Sequence, residues 1–186
     1  MGFDPNGMDR LNQFALVIYI PDPLGQFLDE LRLELAPDCI PHAHVSVLPP
    51  RPLFTPWQVV CEEARAVAGE FPPFEIEAGE PAVFPSTEVI YLELARGGEE
   101  LRRIHDALCR GRLSFCERYP YHPHITLAQD VPSGKVQEIL ELASRRWREY
   151  TGPRTFRAEK AAFVQNIGQD RWIDLAEFSL GAVPVL

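Results

Sequence analysis

Two tripeptides carry the residue types from which phosphoryl chemistry is built. His44-Val45-Ser46 and His124-Ile125-Thr126 each place an imidazole and a hydroxyl two positions apart, with an apolar residue between them and another, Val47 or Leu127, directly after. On a strand, residues i and i+2 share one face about 7 Å apart, while i+1 and i+3 point the other way into a core. An imidazole ionises near pH 6.5, so one ring can take a proton from water or a hydroxyl and the other can return one to a leaving oxygen. A Ser or Thr hydroxyl beside it donates a hydrogen bond to a non-bridging phosphoryl oxygen as charge builds there. The chain holds five His and eleven Ser or Thr. Chance alone gives about 0.3 His-x-Ser/Thr matches, so two of them on predicted strands in matching halves are a signal rather than noise.

Other residues compete for a role. His42 and His122 extend the motifs to His42-Ala43-His44 and His122-Pro123-His124, and i,i+2 histidines on strands can chelate zinc or iron. A four-His metallohydrolase is therefore a rival reading, although it leaves Ser46 and Thr126 idle and finds no acidic ligand close in sequence. Arg51, in Pro49-Pro50-Arg51-Pro52, is a candidate anion contact at the mouth of a cleft, set against a solvated loop arginine. Tyr121, Phe163 and Trp172 are candidates for stacking on a base, set against core packing. His105 reads as a surface residue on the polar part of a helix. Cysteines at 39, 61, 109 and 116 show no Cys-x-x-Cys spacing, which points to reduced thiols rather than structural zinc.

The elements that must position these groups follow from periodicity and punctuation. Strands are predicted over 14–20, 42–48 (stopped by Pro49-Pro50), 74–78, 89–95, 121–128, 154–165 and 171–180, the last two joined as a hairpin across 166–169. Helices are predicted over 22–35 capped by Asp22, 55–69 capped by Thr55, 98–110 opened by Gly97-Gly98, and 132–149 capped by Ser133. Residues 1–10 read as a loose leader. Laid end to end, strand–helix–strand recurs in two sequence halves, about 11–80 and 81–186, each with one His-bearing strand. That order predicts an α+β fold, a single bilobal unit of duplicated lobes whose mostly antiparallel sheets line a central cleft.

Composition narrows the partners. Eighteen basic residues against 27 acidic ones give a net charge of −9, with Lys135 and Lys160 the only lysines. Holding long duplex needs a basic stripe, so a nucleotide or a short RNA end carrying a phosphate is the expected partner, not long duplex DNA. The longest apolar run, residues 14–20, is too short to cross a bilayer, and no signal-peptide pattern opens the sequence, so a cytoplasmic protein without a membrane partner is expected. No Gly-rich phosphate loop supports ATP- or NAD-driven chemistry.

His44-Val45-Ser46-Val47 and, more closely, Pro123-His124-Ile125-Thr126-Leu127 resemble the two motifs of the 2H phosphoesterases, the bacterial 2′-5′ RNA ligase-like or cyclic phosphodiesterase proteins. The 80-residue separation of the two histidines and the chain length fit that family as well. The resemblance implies a bilobal fold with a pseudo-two-fold cleft and metal-independent cleavage or formation of 2′ or 3′ ribose phosphodiesters. Cyclic phosphates or 2′-5′ linked nucleotides are the substrates it implies. It also implies His44 and His124 as acid and base and Ser46 and Thr126 as phosphate donors; no cofactor and a monomer are expected beside it. Ser46 stands where Thr is commoner. Gln129 and Asp130 stand where many relatives place a basic residue, which argues against a tight grip on polyanionic RNA. A non-catalytic module that binds a nucleotide or RNA end is the alternative from a different class.

Overall fold

The computed structural model describes residues 11–132, 134–169 and 171–181. The elements run β1 (Phe14–Tyr19), α1 (Leu24–Leu35), β2 (His44–Arg51), α2 (Trp57–Gly69), β3 (Phe74–Val83), β4 (Ile90–Arg96), α3 (Gly98–Leu108), a 3-10 turn (Gly111–Leu113), β5 (Ile125–Ala128), α4 (Val136–Glu149), β6 (Thr155–Ala158), β7 (Lys160–Asn166) and β8 (Trp172–Ser179). Two antiparallel four-stranded sheets result, ordered β2-β1-β7-β8 and β5-β4-β3-β6. The fold is α+β, and β2 and β5, the strands led by His44 and His124, both lie at sheet edges.

The two sheets are not the two sequence halves. β7, from the end of the chain, pairs with β1 in the first sheet and carries β8 on its other side, while β6 pairs with β3 in the second. The single strand expected over 154–165 is therefore two strands, broken at Glu159, that belong to different sheets. The duplication survives at a finer scale: β1-α1-β2 and β4-α3-β5 are each an inner strand, a helix and an antiparallel edge strand. α1 packs against β5 of the opposite sheet and α3 against β2, and β2 also meets β5 directly. This reciprocal crossing sets the two His-bearing edges face to face.

Several boundaries move for local reasons. β2 runs through Pro49-Pro50 to Arg51 instead of stopping before them. An edge strand tolerates proline because its outer side needs no donor, and its pairing with β1 is irregular there. β3 likewise continues through Pro81, beyond Glu77 where its pairing with β6 ends. β5 is confined to Ile125–Ala128, since Pro123 offers no N–H to a ladder. At α1 Pro23 rather than Asp22 holds the N-cap, although the Asp22 carboxylate accepts the Gln26 amide at 3.0 Å. At α2 likewise Pro56 rather than Thr55 holds the N-cap, and no side chain caps it. α4 begins at Val136; Ser133 and the expected 1–10 leader lie outside the described residues. Gly97, at φ +88°, opens α3 where a Cβ would sit 2.8 Å from the Glu75 carbonyl, so only glycine fits.

β1 is apolar on both faces, and the faces have different uses. Phe14, Leu16 and Ile18 join the main core with Leu28, Leu31, Val45 and Val47. Ala15 and Val17 form a small separate cluster with Ala162 and Val164 of β7. Val17 lies opposite Ser46, and Tyr19 opposite His44, so cross-strand pairing puts this small-residue floor on the same face as the motif. Among the described residues no helix is long and apolar enough to cross a membrane.

Candidate active site

The two motifs are built alike. His44 heads β2 and places Nδ1 2.6 Å from its own neighbour's carbonyl, that of His42. His124 stands one residue before β5 with Nδ1 2.6 Å from the carbonyl of His122. A carbonyl only accepts, so Nδ1 carries the hydrogen in both rings and Nε2 is left with the lone pair. Both rings are partly exposed. Loss of solvation pulls His44 down to about 4, helped by the positive charges of Arg32, His42 and His124 and opposed by its carbonyl bond. His124 is also held below its ordinary value, first by burial and then by the charge of His122, with its carbonyl bond and Glu93 acting the other way. That His44 feels the charge of His124 places both in one electrostatic neighbourhood, as the contact of β2 with β5 requires.

Ser46 and Thr126 are partly exposed, two positions after each histidine. Thr126 lies opposite Tyr91 on β4, as Ser46 lies opposite Val17. Glu93 braces the second lobe: it accepts from the Tyr91 hydroxyl at 2.9 Å and lies 2.9 Å from His122 Nε2. Burial alone would raise the Glu93 carboxyl, but these two bonds and the charges of His122 and His124 hold it low. In the first lobe His42 stacks flat on Tyr19, with centroids 3.8 Å apart, and Tyr19 donates to Asp174 at 2.5 Å. His122 is thus engaged by a carboxylate and His42 by a ring face, which does not make the convergent four-His site of the rival reading. Among the described residues, the grouping whose ligand atoms all lie within 4.8 Å of one another is His105, Cys109 and Glu117. There the Arg51 guanidinium already bonds two of the three prospective ligands.

Of the remaining sequence candidates, Arg51 and His105 are corrected, Phe163 and Tyr121 take the packing alternative, and Trp172 stays exposed. Arg51 is 2% exposed, neither a contact at a cleft mouth nor a solvated loop residue. Its guanidinium donates to the carbonyls of Pro49 (3.1 Å) and Leu113 (3.0 Å), to Glu117 (2.5 Å) and to Cys109 Sγ (3.3 Å). Phe163 is 1% exposed and stacks on Phe14 with centroids 5.9 Å apart, so it is core and cannot receive a base. Tyr121 is occupied on both ends: its ring lies on His105 at 3.9 Å and 2°, and its hydroxyl donates to the Ser46 carbonyl at 2.7 Å. It is a brace between the segment leading to His124 and β2. His105, expected on the surface, is buried. Trp172 is exposed at the start of β8.

The sequence reading missed Arg32. It lies on α1, its Nε is buried with no hydrogen-bond partner among the described residues, and its charge is one of those acting on His44. Nothing in the sequence near Arg32 marks it, because a helix delivers it to a strand twelve residues further on.

Residues 20–170 match the family described as the 2′-5′ RNA ligase superfamily, and the chain belongs to that superfamily. A protein of Geobacillus kaustophilus named as a candidate phosphoesterase is 24% identical over 136 residues, covering 68% of this chain and 75% of that one. Another so named, from Oceanobacillus iheyensis, is 34% identical over 80 residues, but these span only 42% of this chain and 46% of that one. Among solved structures, Escherichia coli LigT in its apo form superposes with a TM-score of 0.64 at 15% identity, over 91% of this chain and 97% of LigT. LigT complexed with 3′-AMP superposes at 0.62 with 14% identity, over 91% and 99%. At these identities the likeness is one of fold.

Proposed function

We propose that the protein is a metal-independent phosphodiesterase that opens nucleoside 2′,3′-cyclic phosphates or cleaves 2′-5′ linked nucleotides by acid–base catalysis between His44 and His124. One observation carries the reading. Two imidazoles of the same tautomer stand at the heads of two facing edge strands, each followed two residues later by a hydroxyl. The family membership supports a phosphoester substrate, and the complex of LigT with 3′-AMP supports a nucleotide monophosphate as the product class.

Environments that push two titratable groups apart assign their roles. His44, the more strongly depressed, is neutral over a wider range and takes the proton of the attacking water through Nε2. His124 gives a proton to the departing ribose oxygen. Ser46 and Thr126 donate to the non-bridging oxygens. Arg32 takes the place foreseen for Arg51 and offers the phosphate a positive charge, and the small floor of Ala15, Val17, Ala162 and Val164 leaves room for the sugar. With a net charge of −9, short ligands suit this groove better than long polyanions.

The pH dependence follows with its sign. Productive free enzyme needs His44 neutral, hence pH above about 4, and His124 protonated, hence pH below its depressed value, which lies under 6.5. The kcat/KM for a 2′,3′-cyclic nucleotide should therefore be bell-shaped with its maximum on the acid side of 6.5. The alkaline limb of kcat should lie higher, because a bound phosphate anion stabilises the imidazolium. A profile rising monotonically to pH 8 would contradict the assignment, and loss of turnover in EDTA with recovery on adding zinc would favour a metallohydrolase. Arg32→Gln is expected to raise KM roughly tenfold, the weight of one charged hydrogen bond of about 1.5 kcal/mol, with a smaller change in kcat. An unchanged KM would remove Arg32 from the site.

A further inference from the structure

Where α3, the end of β2 and the loop after Leu113 meet, five ionisable side chains converge that the proposed reaction does not use. Cys109 Sγ lies 3.3 Å from His105 Nε2 and 3.3 Å from an Arg51 nitrogen. Glu117 accepts from Arg51 and lies 3.0 Å from the same His105 nitrogen. Asp106 lies 3.1 Å from His105 Nδ1, and the Tyr121 ring covers one face of the imidazole. Cys109 itself is only partly buried and lines a surface hollow of about 420 Å³ together with Phe115, Arg118, Tyr119 and Pro120.

We propose that Cys109 is a thiolate nucleophile held in an ion pair with His105 and Arg51, and that it is a site of modification by hydrogen peroxide. Two cations, Arg51 and His105, face Cys109 and Glu117, and the exposed Asp106 carboxylate stands beside His105 Nδ1. A divalent cation entering it would meet the guanidinium already seated on two of its ligands. Burial on its own would push the Cys109 thiol up, but the bonds from His105 and Arg51 and their charges hold it below the ordinary thiol value. Burial would lower His105, yet its bonds to Cys109, Glu117 and Asp106 bring it up to about 9. Thiolate beside imidazolium in a reachable pocket is the environment that makes a cysteine reactive.

The step balances with peroxide as the only co-reactant. Sγ attacks one peroxide oxygen and an S–O bond forms as the O–O bond breaks. The leaving hydroxide takes the His105 proton and departs as water, leaving a sulfenic acid and a neutral imidazole. Sulfur is oxidised and peroxide reduced. The proposal does not depend on the phosphodiesterase reading, since its residues and its readout are separate from the groove.

The test uses the whole reduced protein at pH 6.5, treated with one equivalent of hydrogen peroxide in the presence of dimedone, then digested for peptide mass spectrometry. Cys109 should carry the adduct in roughly tenfold excess over Cys116, although Cys116 is the more exposed and would win if access alone governed the reaction. Iodoacetamide should follow the same order, and His105→Gln should slow alkylation of Cys109 about tenfold at this pH. The ranking within the wild-type chain decides the matter even if that variant folds poorly. Adducts on Cys116 ahead of Cys109 would overturn the proposal, and so would full protection of Cys109 from iodoacetamide by one equivalent of zinc, which would mark the cluster as a metal site.

Discussion

Alanine in place of His44 or His124 is expected to lower kcat on a 2′,3′-cyclic nucleotide by about 10²–10⁴-fold, the usual contribution of a positioned acid or base. KM should change far less for His44→Ala, because the neutral ring does not hold the phosphate charge, whereas His124→Ala should also raise KM, since the imidazolium and the bound phosphate stabilise each other. The fold should survive, since each ring makes one bond to a backbone carbonyl, worth about 1 kcal/mol net. Steady-state kinetics with a melting curve on each variant separates these quantities. The double variant should be little worse than either single one, because residues acting as a unit are not additive. The pH profiles should part in opposite senses: loss of the base His44 removes the acid limb, and loss of the acid His124 removes the alkaline one. Either single variant keeping more than about a tenth of wild-type turnover would be too active for a general acid or base and would defeat the two-histidine mechanism.

Both histidines were legible because period-two alternation around Val45, Val47, Ile125 and Leu127 survives in a strand edge almost unaltered. Those four side chains are buried, which turns His44, Ser46, His124 and Thr126 to the other face. What the alternation does not record is which sheet a strand joins. Residues 154–165 are β-prone throughout, and the transfer from the second sheet to the first happens at Glu159, with no glycine or proline to mark it. His105 was misread although the signal was present: Leu101, Ile104 and Leu108 are the buried stripe of α3, and position 105 lies four after the first and three before the last. Arg51 was misread for the opposite reason. Pro49-Pro50-Arg51-Pro52 looks like a loop locally, and only the meeting of β2 with the segment carrying Leu113 and Glu117, more than sixty residues away, supplies enough acceptors to bury a guanidinium.

That burial makes Arg51→Ala the substitution with the largest expected effect on stability. The guanidinium is 2% exposed and its partner Glu117 17%. Removing it leaves the Leu113 carbonyl without that donor, leaves the Glu117 carboxylate to its His105 contact, and opens a void at the end of β2. Breaking a buried pair from one side costs about 3–5 kcal/mol, measurable by urea unfolding monitored at the tryptophans. The residual folded enzyme should keep a KM within about twofold of wild type, because the side chain points away from the groove and no phosphate contact is lost. Had Arg51 been the anion contact that the sequence suggested, the pattern would invert, with KM raised and stability hardly touched. Arg51→Met with Glu117→Gln removes both charges while keeping volume, and should recover a large part of the loss, since the cost lies chiefly in a buried carboxylate that has lost one of its two cationic partners. Failure of that double variant to recover would mean that the hydrogen bonds to Pro49 and Leu113, rather than the charge pair, anchor the end of β2. The strand that carries His44 and Ser46 would then be held by its backbone acceptors alone.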